Sequence, residues 1–543
     1  MADEQVTLRP THTAHQTSPT EERRVGPPKW RSSRYALAYL LFLGLGCLSL
    51  QRTCFSLAIV CMVNHTALST LRNPERNWTG LWAGSAWNDS YQFTNRTFQK
   101  HAYSVSDSGV DSTVTPGVDG PFVWDKETQG FLLGAMFWTF ALIQIPAGYV
   151  FYYAGPRLIV GVSMAATSTF TLLIPVAAVW SPWAVFTLRA ALGIGVSLCL
   201  PSMFAVWGKW APTSERAFLI SIVWSGANIA NAVVFPTSAL LCKYGFAGGW
   251  PSVFYVFGAL GIVWSASWFL LVSDSPETHK RIDPAEREFI VANRASAHTR
   301  GDKVSVPWLK ILTSLCFWGI AVAHFAYAWG QLLFLSNLPL FLYEVMKFDI
   351  KSNGVFSMLP YLALAVVILT SGFISDVIVR RQILGAFWTR RLFYAIAFVI
   401  PAAVLVAISF LDCTQAGAVV ALLVIAVGTQ GFALSVILSN FYDIAQRYAV
   451  SVQTVSTTIA SSAGMITPIV VAELTKDRTR EQWQIVFFIT AGIFIAGTVV
   501  FCVFAQTTVQ PWAATKLPQK DVDDEHVALN HLPVNGSETP KET

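Results

Sequence analysis

The stretch LSLQRTCFSLAIVCMVN, residues Leu48–Asn64, decides the fold class because it is almost wholly apolar and extends an apolar run that begins near Tyr35. A helix needs about 20 apolar residues to cross a bilayer, and this run exceeds that length. The chain of 543 residues is 53% hydrophobic and 13% charged, whereas soluble proteins carry about 25% charged residues. This composition excludes a water-soluble globular protein and predicts an integral membrane protein.

Twelve such runs follow one another along the chain. We predict spans at residues 36–62, 128–152, 157–180, 183–207, 217–241, 251–272, 312–342, 355–375, 391–411, 417–440, 451–472 and 483–506. The runs are too long and too uniformly apolar for the strands of a membrane barrel, so helices must satisfy the backbone. The sequence therefore predicts an all-α membrane protein with six helices in residues 35–272 and six in residues 311–506.

Charged residues in the loops orient the spans. Basic residues collect in the tail 1–34, in the segment 273–310 and in the link between spans eight and nine, which all fall on one side of a twelve-span chain. The positive-inside rule makes that side cytoplasmic. The loop 63–127 then lies outside, and it carries four N-glycosylation sequons, at Asn64, Asn77, Asn88 and Asn95. A fifth sequon lies in the tail 507–543, where we expect no glycan; both tails are predicted to be disordered.

The organisation into two halves is typical of the major facilitator superfamily, in which the substrate site lies between the halves near the middle of the membrane. The linker 273–310 contains DPAEREFIVANRASAH, which predicts one short amphipathic helix. The link after span eight, GFISDVIVRR, resembles the superfamily's cytoplasmic pattern of a glycine, an aspartate and two basic residues. We predict that Asp376, Arg380 and Arg381 act in gating; ordinary positive-inside charge is the alternative.

Sites for enzymatic chemistry are not visible in the sequence. It contains no CxxC pair, zinc-binding HExxH, phosphate-binding Walker loop or nucleophile elbow. None of the eight cysteines falls in the outer loop, so we predict no disulfide-built ectodomain. We expect no catalysis, no metal and no cofactor. The modest net charge of +5 gives no indication of nucleic acid, and lipid is the expected surrounding of a monomer.

Ionisable residues inside a membrane are costly, and they are candidates for function. The spans contain three clear ones, Arg52, Arg189 and His324. At a rise of 1.5 Å per residue, Arg52 lies about 15 Å and Arg189 about 9 Å inside the outer ends of their spans, and His324 lies near the midplane. No acidic residue of the predicted spans has a comparable depth. An arginine without a partner suits a carboxylate or phosphate, so we predict that both bind a substrate anion. The alternatives are snorkelling to the interface and bonding to backbone carbonyls.

Span seven carries polar residues at roughly helical spacing and should line a cavity. They are His324, Tyr327, Gln331 and Asn337, which we predict to contact substrate. His324 either titrates near neutral pH or stays neutral and holds a neighbouring helix by one hydrogen bond.

Several segments together resemble one solute-carrier family, which contains sialin, the vesicular glutamate transporters and the type I sodium–phosphate cotransporters. They are SLQRTCFSLAIVCMVN, WDKETQGFLLGAMFW, QIPAGYV, LVSDSPETHKRIDPAEREFI, FYDIAQRYA and VQPWA. The resemblance runs through nearly the whole chain outside the tails. It implies the major facilitator fold and transport of an organic anion or phosphate by alternating access. Arg52 and Arg189 match family arginines linked to substrate anions, and AHFAYAW resembles the sialin form of span seven.

The chain departs from the family pattern at the residues that bear on coupling. Sialin-like members follow the arginine of span four with two glutamates four apart, where this chain has Leu192 and Val196, and Phe204 stands where they have histidine. We therefore predict transport driven by membrane potential or sodium, with chloride or proton as other possible coupling ions. A proton-coupled exporter of acidic sugars or amino acids from lysosomes or vesicles, and an anion sensor that does not transport, are the alternatives. The tail lacks an acidic dileucine, which favours the plasma membrane.

Overall fold

The computed structural model describes residues 32–72, 120–212, 215–293, 306–445 and 448–513. Most of both predicted tails and the sequons at Asn77, Asn88 and Asn95 lie outside these ranges. Asn64 lies inside them, at the start of a short helix, where its side-chain oxygen accepts a hydrogen bond of 2.7 Å from the amide of Ala67.

Two groups of helices follow one another along the described chain. The first group is α1 (Ser33–Met62), α2 (His65–Arg72), α3 (Lys126–Ala154), α4 (Pro156–Trp180), α5 (Pro182–Trp210), α6 (Arg216–Tyr244) and α7 (Trp250–Leu271). A short helix in the linker is α8 (Pro284–Asn293). The second group is α9 (Trp308–Leu312), α10 (Leu315–Glu344), α11 (Ile350–Arg380), α12 (Ala386–Ser409), α13 (Ala416–Gly428), α14 (Gly431–Ala445), α15 (Ala449–Leu474) and α16 (Arg480–Phe504).

The helices begin where the sequence offers a capping residue. The side chain of Asp125 accepts a bond of 2.9 Å from the amide of Thr128 at the start of α3, and Ser181 and Asp349 cap α5 and α11 in the same way. Proline occurs inside many of the long helices, which membranes tolerate because neighbouring helices satisfy the freed carbonyls. Capping residues thus determine where these helices begin, and the thickness of the bilayer determines how long they are.

Eleven helical segments of the described chain are long and apolar enough to cross a membrane, with α13 and α14 together forming one of them. Helix α3 is 29 residues long and packs between α5 and α15. It corresponds to the second predicted span and brings the number of spans to twelve. Large apolar side chains such as Leu142, Trp180 and Leu270 remain exposed on the outside of the bundle, as lipid contact requires. The prediction of an all-α membrane fold with two six-helix halves is confirmed.

The two halves meet closely at their outer ends. A Cβ built on Gly130 of α3 would lie 2.6 Å from the Cβ of Ala472 in α15. A Cβ on Gly354 of α11 would lie 2.5 Å from that of Ala239 in α6. Only glycine permits such approach, so these contacts close the space between the halves towards the outside.

One span is interrupted in mid-membrane. Helix α13 ends at Gly428 and α14 begins at Gly431, and the turn between them places Gln430 in the interior, fully buried. Its amide nitrogen donates to the carbonyl of Ala426 at 3.0 Å. Broken helices at this depth occur where a cavity or a neighbouring helix satisfies the freed backbone.

The linker helix α8 is held against the end of the first half that the sequence predicts to be cytoplasmic. Arg34, which is fully buried, places its Nε 2.8 Å from a carboxylate oxygen of Glu215 and its Nη1 3.3 Å from one of Glu286. The amide of Arg34 also donates to Glu286 at 3.1 Å. Because a buried carboxylate is costly without partners, this network fixes α8 on the start of α1.

Candidate substrate site

Arg52 lies on α1 between the two halves. It is about 15 Å from the outer end of a helix that is about 45 Å long, at 1.5 Å per residue. Its side chain is only half-buried, whereas Gln51 and Thr53 beside it are buried. Its Nε has no hydrogen-bond partner among the residues that the structure describes. At least one donor of the guanidinium is therefore unused within the described structure.

The residues on either side of Arg52 explain its position. The amide of Gln51 donates to the hydroxyl of Ser168 in α4 at 2.8 Å and to the carbonyl of Phe257 in α7 at 3.2 Å. The hydroxyl of Thr53 donates to the side-chain oxygen of Asn231 in α6 at 3.2 Å. These bonds fix the rotation of α1, since residues at successive positions point about 100° apart. Arg52 is thereby turned away from the packed interior of its half.

Arg189 has a different surrounding. It is buried, its Nε donates to the carbonyl of Leu132 at 2.7 Å, and its Nη2 donates to the carbonyl of Leu133 at 3.3 Å. The guanidinium also lies 4.0 Å from the centre of the Phe55 ring. These contacts tie α5 to α3 and α1 inside the first half. For Arg189 the structure shows bonding to backbone carbonyls, which the sequence analysis left open as an alternative to an unpartnered guanidinium. A role in substrate binding stays a prediction.

His324 lies on the opposite half and is half-buried. Its Nδ1 is 3.0 Å from the hydroxyl of Ser456 in α15, and its ring meets that of Phe441 in α14 edge-on, with centroids 6.1 Å apart. Tyr327, one turn along α10, is also half-buried. The structure therefore places these two predicted residues on one face.

Gln331 continues that face, and Asn337 does not. The amide of Gln331 donates to the side-chain oxygen of Gln430 at 3.2 Å, which joins α10 to the broken span. Asn337 follows six residues later, about 240° around the helix. It is buried, bonds to the carbonyl of Leu333 at 3.3 Å, and faces Trp483 of α16. The structure does not bring Asn337 to the central space, so its grouping with His324 is corrected here.

Arg52 and His324, both predicted to bind substrate, lie at two different depths in the membrane. His324 is about 14 Å from the inner end of α10, whereas Arg52 is about 15 Å from the outer end of α1. In helices about 45 Å long, this separates the two by about 15 Å along the membrane normal. One small anion can bind at Arg52 without touching His324.

A charged cluster closes the outer ends of the halves. Lys126 at the start of α3 forms an ion pair with Glu344 at the end of α10, and the Nε of Arg478 lies 3.6 Å from the same carboxylate. An Nη1 of Arg478 lies 3.1 Å from the Nδ1 of His65. The cluster joins the halves, because Lys126 and His65 belong to the first and Glu344 and Arg478 to the second. We call these four residues the outer cluster.

His65 is held neutral in the outer cluster. Burial and the Arg478 guanidinium lower the pKa of His65 to about 4. Its Nε2 lies 3.1 Å from the carbonyl of Val60, so Nε2 carries the proton and Nδ1 accepts from Arg478. A second proton on the ring would place two cations together.

At the inner ends, the structure shows a pair that the sequence reasoning missed. The Nε of Arg390 in α12 lies 3.3 Å from a carboxylate oxygen of Asp443 in α14, and its Nη1 lies 3.5 Å from the hydroxyl of Ser375. Asp376 and Arg380 lie in the last turns of α11, and the structure does not describe their side chains. Arg381 is exposed just beyond α11. Gating by these three residues stays a prediction. A conspicuous acid in FYDIAQ could have signalled Asp443.

Comparison with known proteins decides the family. The Major Facilitator Superfamily model matches residues 41–468. Sialin of Ovis aries is 37% identical over 483 residues, which cover 89% of this chain and 91% of that protein. The chain belongs to the major facilitator superfamily and, within it, to the solute-carrier family of sialin. It is a multi-pass membrane transporter of this type.

Other relatives support the same family. Vesicular glutamate transporter 2 of Homo sapiens is 33% identical over 395 residues, which cover 72% of this chain and 67% of that protein. Among solved structures, a bacterial homologue of the lysosomal transporter Spinster, in an inward-facing and unoccupied conformation, superposes with a TM-score of 0.62 at 14% identity, covering 89% of this chain and 99% of that one. That likeness shows the fold alone.

The departures from the sialin-like pattern lie in the packed interior of this family member. Leu192 and Val196 follow Arg189 on α5, and both are buried in an apolar cluster with Met136 and Met164. Neither side chain can bind a proton. The structure does not describe the side chain of Phe204.

Proposed function

We propose that this transporter carries an organic anion or inorganic phosphate by alternating access, with Arg52 as its main anion-binding residue. The observation that supports this most is Arg52, half-buried about 15 Å from the outer end of α1, with an Nε that no described residue satisfies. A permanent charge held at this depth requires a counter-charge. A carboxylate or phosphate fits its planar fork with two parallel bonds.

The closed outer end suggests how binding couples to movement. In this conformation the outer cluster and the contacts at Gly130 and Gly354 close the outside. Alternating access requires the two halves to rock about the site between them, so these contacts must part when the outside opens. Glu344 then loses Lys126 and becomes hydrated. Arg52 remains on the first half throughout and can hold the anion in both states.

We propose membrane potential or a sodium gradient as the driving force. A proton-coupled carrier needs a titratable group that reaches both sides, and Leu192 and Val196 occupy positions where sialin-like members have glutamates. The anion's own charge responds to voltage by about 2.3 kcal/mol per 100 mV, which is enough for about 50-fold accumulation.

Proton coupling is the second candidate function, and His324 favours it. The imidazole is half-buried on α10 and bonded to Ser456 of α15 across the second half. A histidine on the wall of a cavity can bind and release a proton during transport. The bond to Ser456 equally suits a neutral ring that joins two helices.

Uptake into proteoliposomes distinguishes the two. Vesicles containing the purified protein are given labelled phosphate, L-glutamate or D-glucuronate, and potassium with valinomycin sets the potential. We expect an inside-positive potential, alone or with a sodium gradient, to drive concentrative uptake. Concentrative uptake driven by a pH gradient at zero potential without sodium would contradict this driving force. If that uptake also vanished in His324→Gln, His324 would be the proton site.

A further inference from the structure

Tyr361 of α11 is a buried residue that the sequence analysis did not single out. Its side chain is 2% exposed, and its ring stacks on that of Phe235 in α6, with centroids 5.4 Å apart and planes at 28°. Helix α6 belongs to the first half and α11 to the second. Tyr361 therefore sits in the contact that closes the halves towards the outside.

The hydroxyl of Tyr361 has no hydrogen-bond partner among the residues that the structure describes. Leaving a buried hydroxyl unpaired costs free energy, so proteins normally satisfy such groups. Tyr394 of α12 provides a direct comparison within the same half. It is equally buried, and its hydroxyl donates to the carbonyl of Ala323 at 2.8 Å. Tyr361 thus differs from Tyr394 and is one of several buried polar groups that the described residues leave without a partner.

Arg52 lies opposite Tyr361 at the same depth. Tyr361 is about 17 Å from the outer end of α11, and Arg52 is about 15 Å from that of α1. Asn231 of α6 bonds Thr53 next to Arg52, and Phe235, one turn further along α6, stacks on Tyr361, so α6 brings the two residues into one region. A phenol and a guanidinium are both donors toward an anion. The two donors belong to opposite halves and both lack an acceptor among the described residues, so one oxyanion can accept from both.

We propose that the hydroxyl of Tyr361 is a second ligand of the substrate anion and that the anion bridges Arg52 of the first half and Tyr361 of the second. This rests on the proposed function and adds a residue to its site. The ligand is a carboxylate or phosphate, since only an oxyanion has several acceptor oxygens for both donors. Phe235 positions the phenol by stacking.

This arrangement makes anion binding depend on the conformation. When the halves part at the outside, the ring of Tyr361 must leave Phe235, because the two belong to opposite halves. The anion then keeps Arg52 and loses Tyr361. It is therefore held more tightly while the outside is closed, and it favours that closed state.

The test is Tyr361→Phe, which keeps the ring and the stacking and removes only the hydroxyl. Its matched control is Tyr394→Phe. Apparent affinities for phosphate, L-glutamate and D-glucuronate are measured by uptake in proteoliposomes, and melting temperatures are measured on the purified protein without anion. We expect Tyr361→Phe to weaken the apparent affinity for the transported anion at least tenfold while its melting temperature is unchanged or higher. Tyr394→Phe should lower the melting temperature and leave the affinity unchanged.

Two outcomes would overturn the inference, and they are distinguishable. If wild type transports an anion, Arg52→Ala abolishes that transport and Tyr361→Phe keeps wild-type affinity, Tyr361 is not a ligand and the proposed function stands. If wild type moves none of the three anions under any gradient, the proposed function fails and this inference fails with it. A lowered melting temperature in Tyr361→Phe would show that the hydroxyl has a partner in the protein.

Discussion

Lys126 at the start of α3 and Glu344 at the end of α10 form an ion pair that joins the two halves of the protein at the outside. Both side chains are buried, with 7% and 1% of their surface exposed. Neither residue is near the other in sequence, and neither lies deep in a span. This ion pair helps to keep the outer ends of the halves together, and a substitution can remove the pair without changing Arg52.

Glu344→Gln should open the outside. It leaves the buried Lys126 and the half-buried Arg478 without a counter-charge, which costs roughly 3–5 kcal/mol in the closed state and little once the site is hydrated. We expect the population to shift towards outside-open molecules about a hundredfold or more. One spin label is attached to the native Cys413, which is exposed, and a second to a cysteine introduced by Phe246→Cys. Cys502→Ser prevents labelling of that half-buried cysteine. The distance between the two labels reports how far apart the outer ends of the halves are.

Glu473→Gln is the matched control for that experiment. Glu473 pairs with Lys476 at the protein surface, where 61% of its side chain is exposed. Exposed pairs contribute little, so this variant should leave the label distance unchanged. Equal label distances in Glu344→Gln and wild type would contradict the claim that this ion pair keeps the outer ends closed.

Acid on the outer side should favour opening through His65. The pKa of His65 is about 4 when the outside is closed and returns towards the ordinary value of about 6.5 when opening hydrates the ring. The open state therefore binds the extra proton more readily, and the closed state loses stability as the pH falls from about 6.5 towards 4. Each pH unit in this window favours opening by up to about 1.4 kcal/mol.

The label distance measured as a function of pH checks this. Arg478, Glu344, Tyr343 and Lys126 face His65 from the neighbouring elements. His65→Gln removes the imidazole and keeps Glu344. We expect the shift between pH 6.5 and 5 in wild type and its loss in His65→Gln. A shift of equal size in His65→Gln would assign the response to another group.

Removing the buried cation under the linker helix should destabilise the first half. Arg34→Ala leaves Glu215 and Glu286 without their partner, which costs roughly 3–5 kcal/mol. We expect a melting temperature several degrees lower. Glu288→Gln changes an exposed carboxylate on the same helix and should have no effect. A similar melting temperature in both variants would show that α8 is not held by this network.

The predicted topology has a separate test. Glycosidase should increase the gel mobility of the protein made in a eukaryotic cell, and replacing Asn64, Asn77, Asn88 and Asn95 together by glutamine should abolish that change. Asn64 lies next to the membrane and caps α2, so we expect little glycan there. N-glycan on the quadruple variant would contradict an outer loop at 63–127.

The sequence predicted the fold for a clear physical reason, and it drew attention to Arg52. Apolar runs are dictated by the bilayer, and a guanidinium at the depth of Arg52 is costly enough to stand out. The surroundings of Arg189 depend on carbonyls of α3, which no spacing reveals. Asn337 was grouped with His324 by polarity, although the thirteen residues between their positions turn a helix to about 220°. Tyr361 was missed because an unpartnered hydroxyl is a property of packing.

The most direct test of the central claim is anion uptake by Arg52 variants. Wild type, Arg52→Lys, Arg52→Ala and Arg189→Lys are reconstituted, and uptake of phosphate, L-glutamate and D-glucuronate is measured under an inside-positive potential. Loss of a charge-assisted contact to the substrate costs roughly 2–5 kcal/mol, so Arg52→Ala should reduce apparent affinity at least tens of fold with an unchanged melting temperature. Arg52→Lys should fail nearly as badly, because a point charge does not replace the planar fork, whereas Arg189→Lys should chiefly lower the melting temperature. Transport by Arg52→Ala at the wild-type rate and affinity would contradict the account.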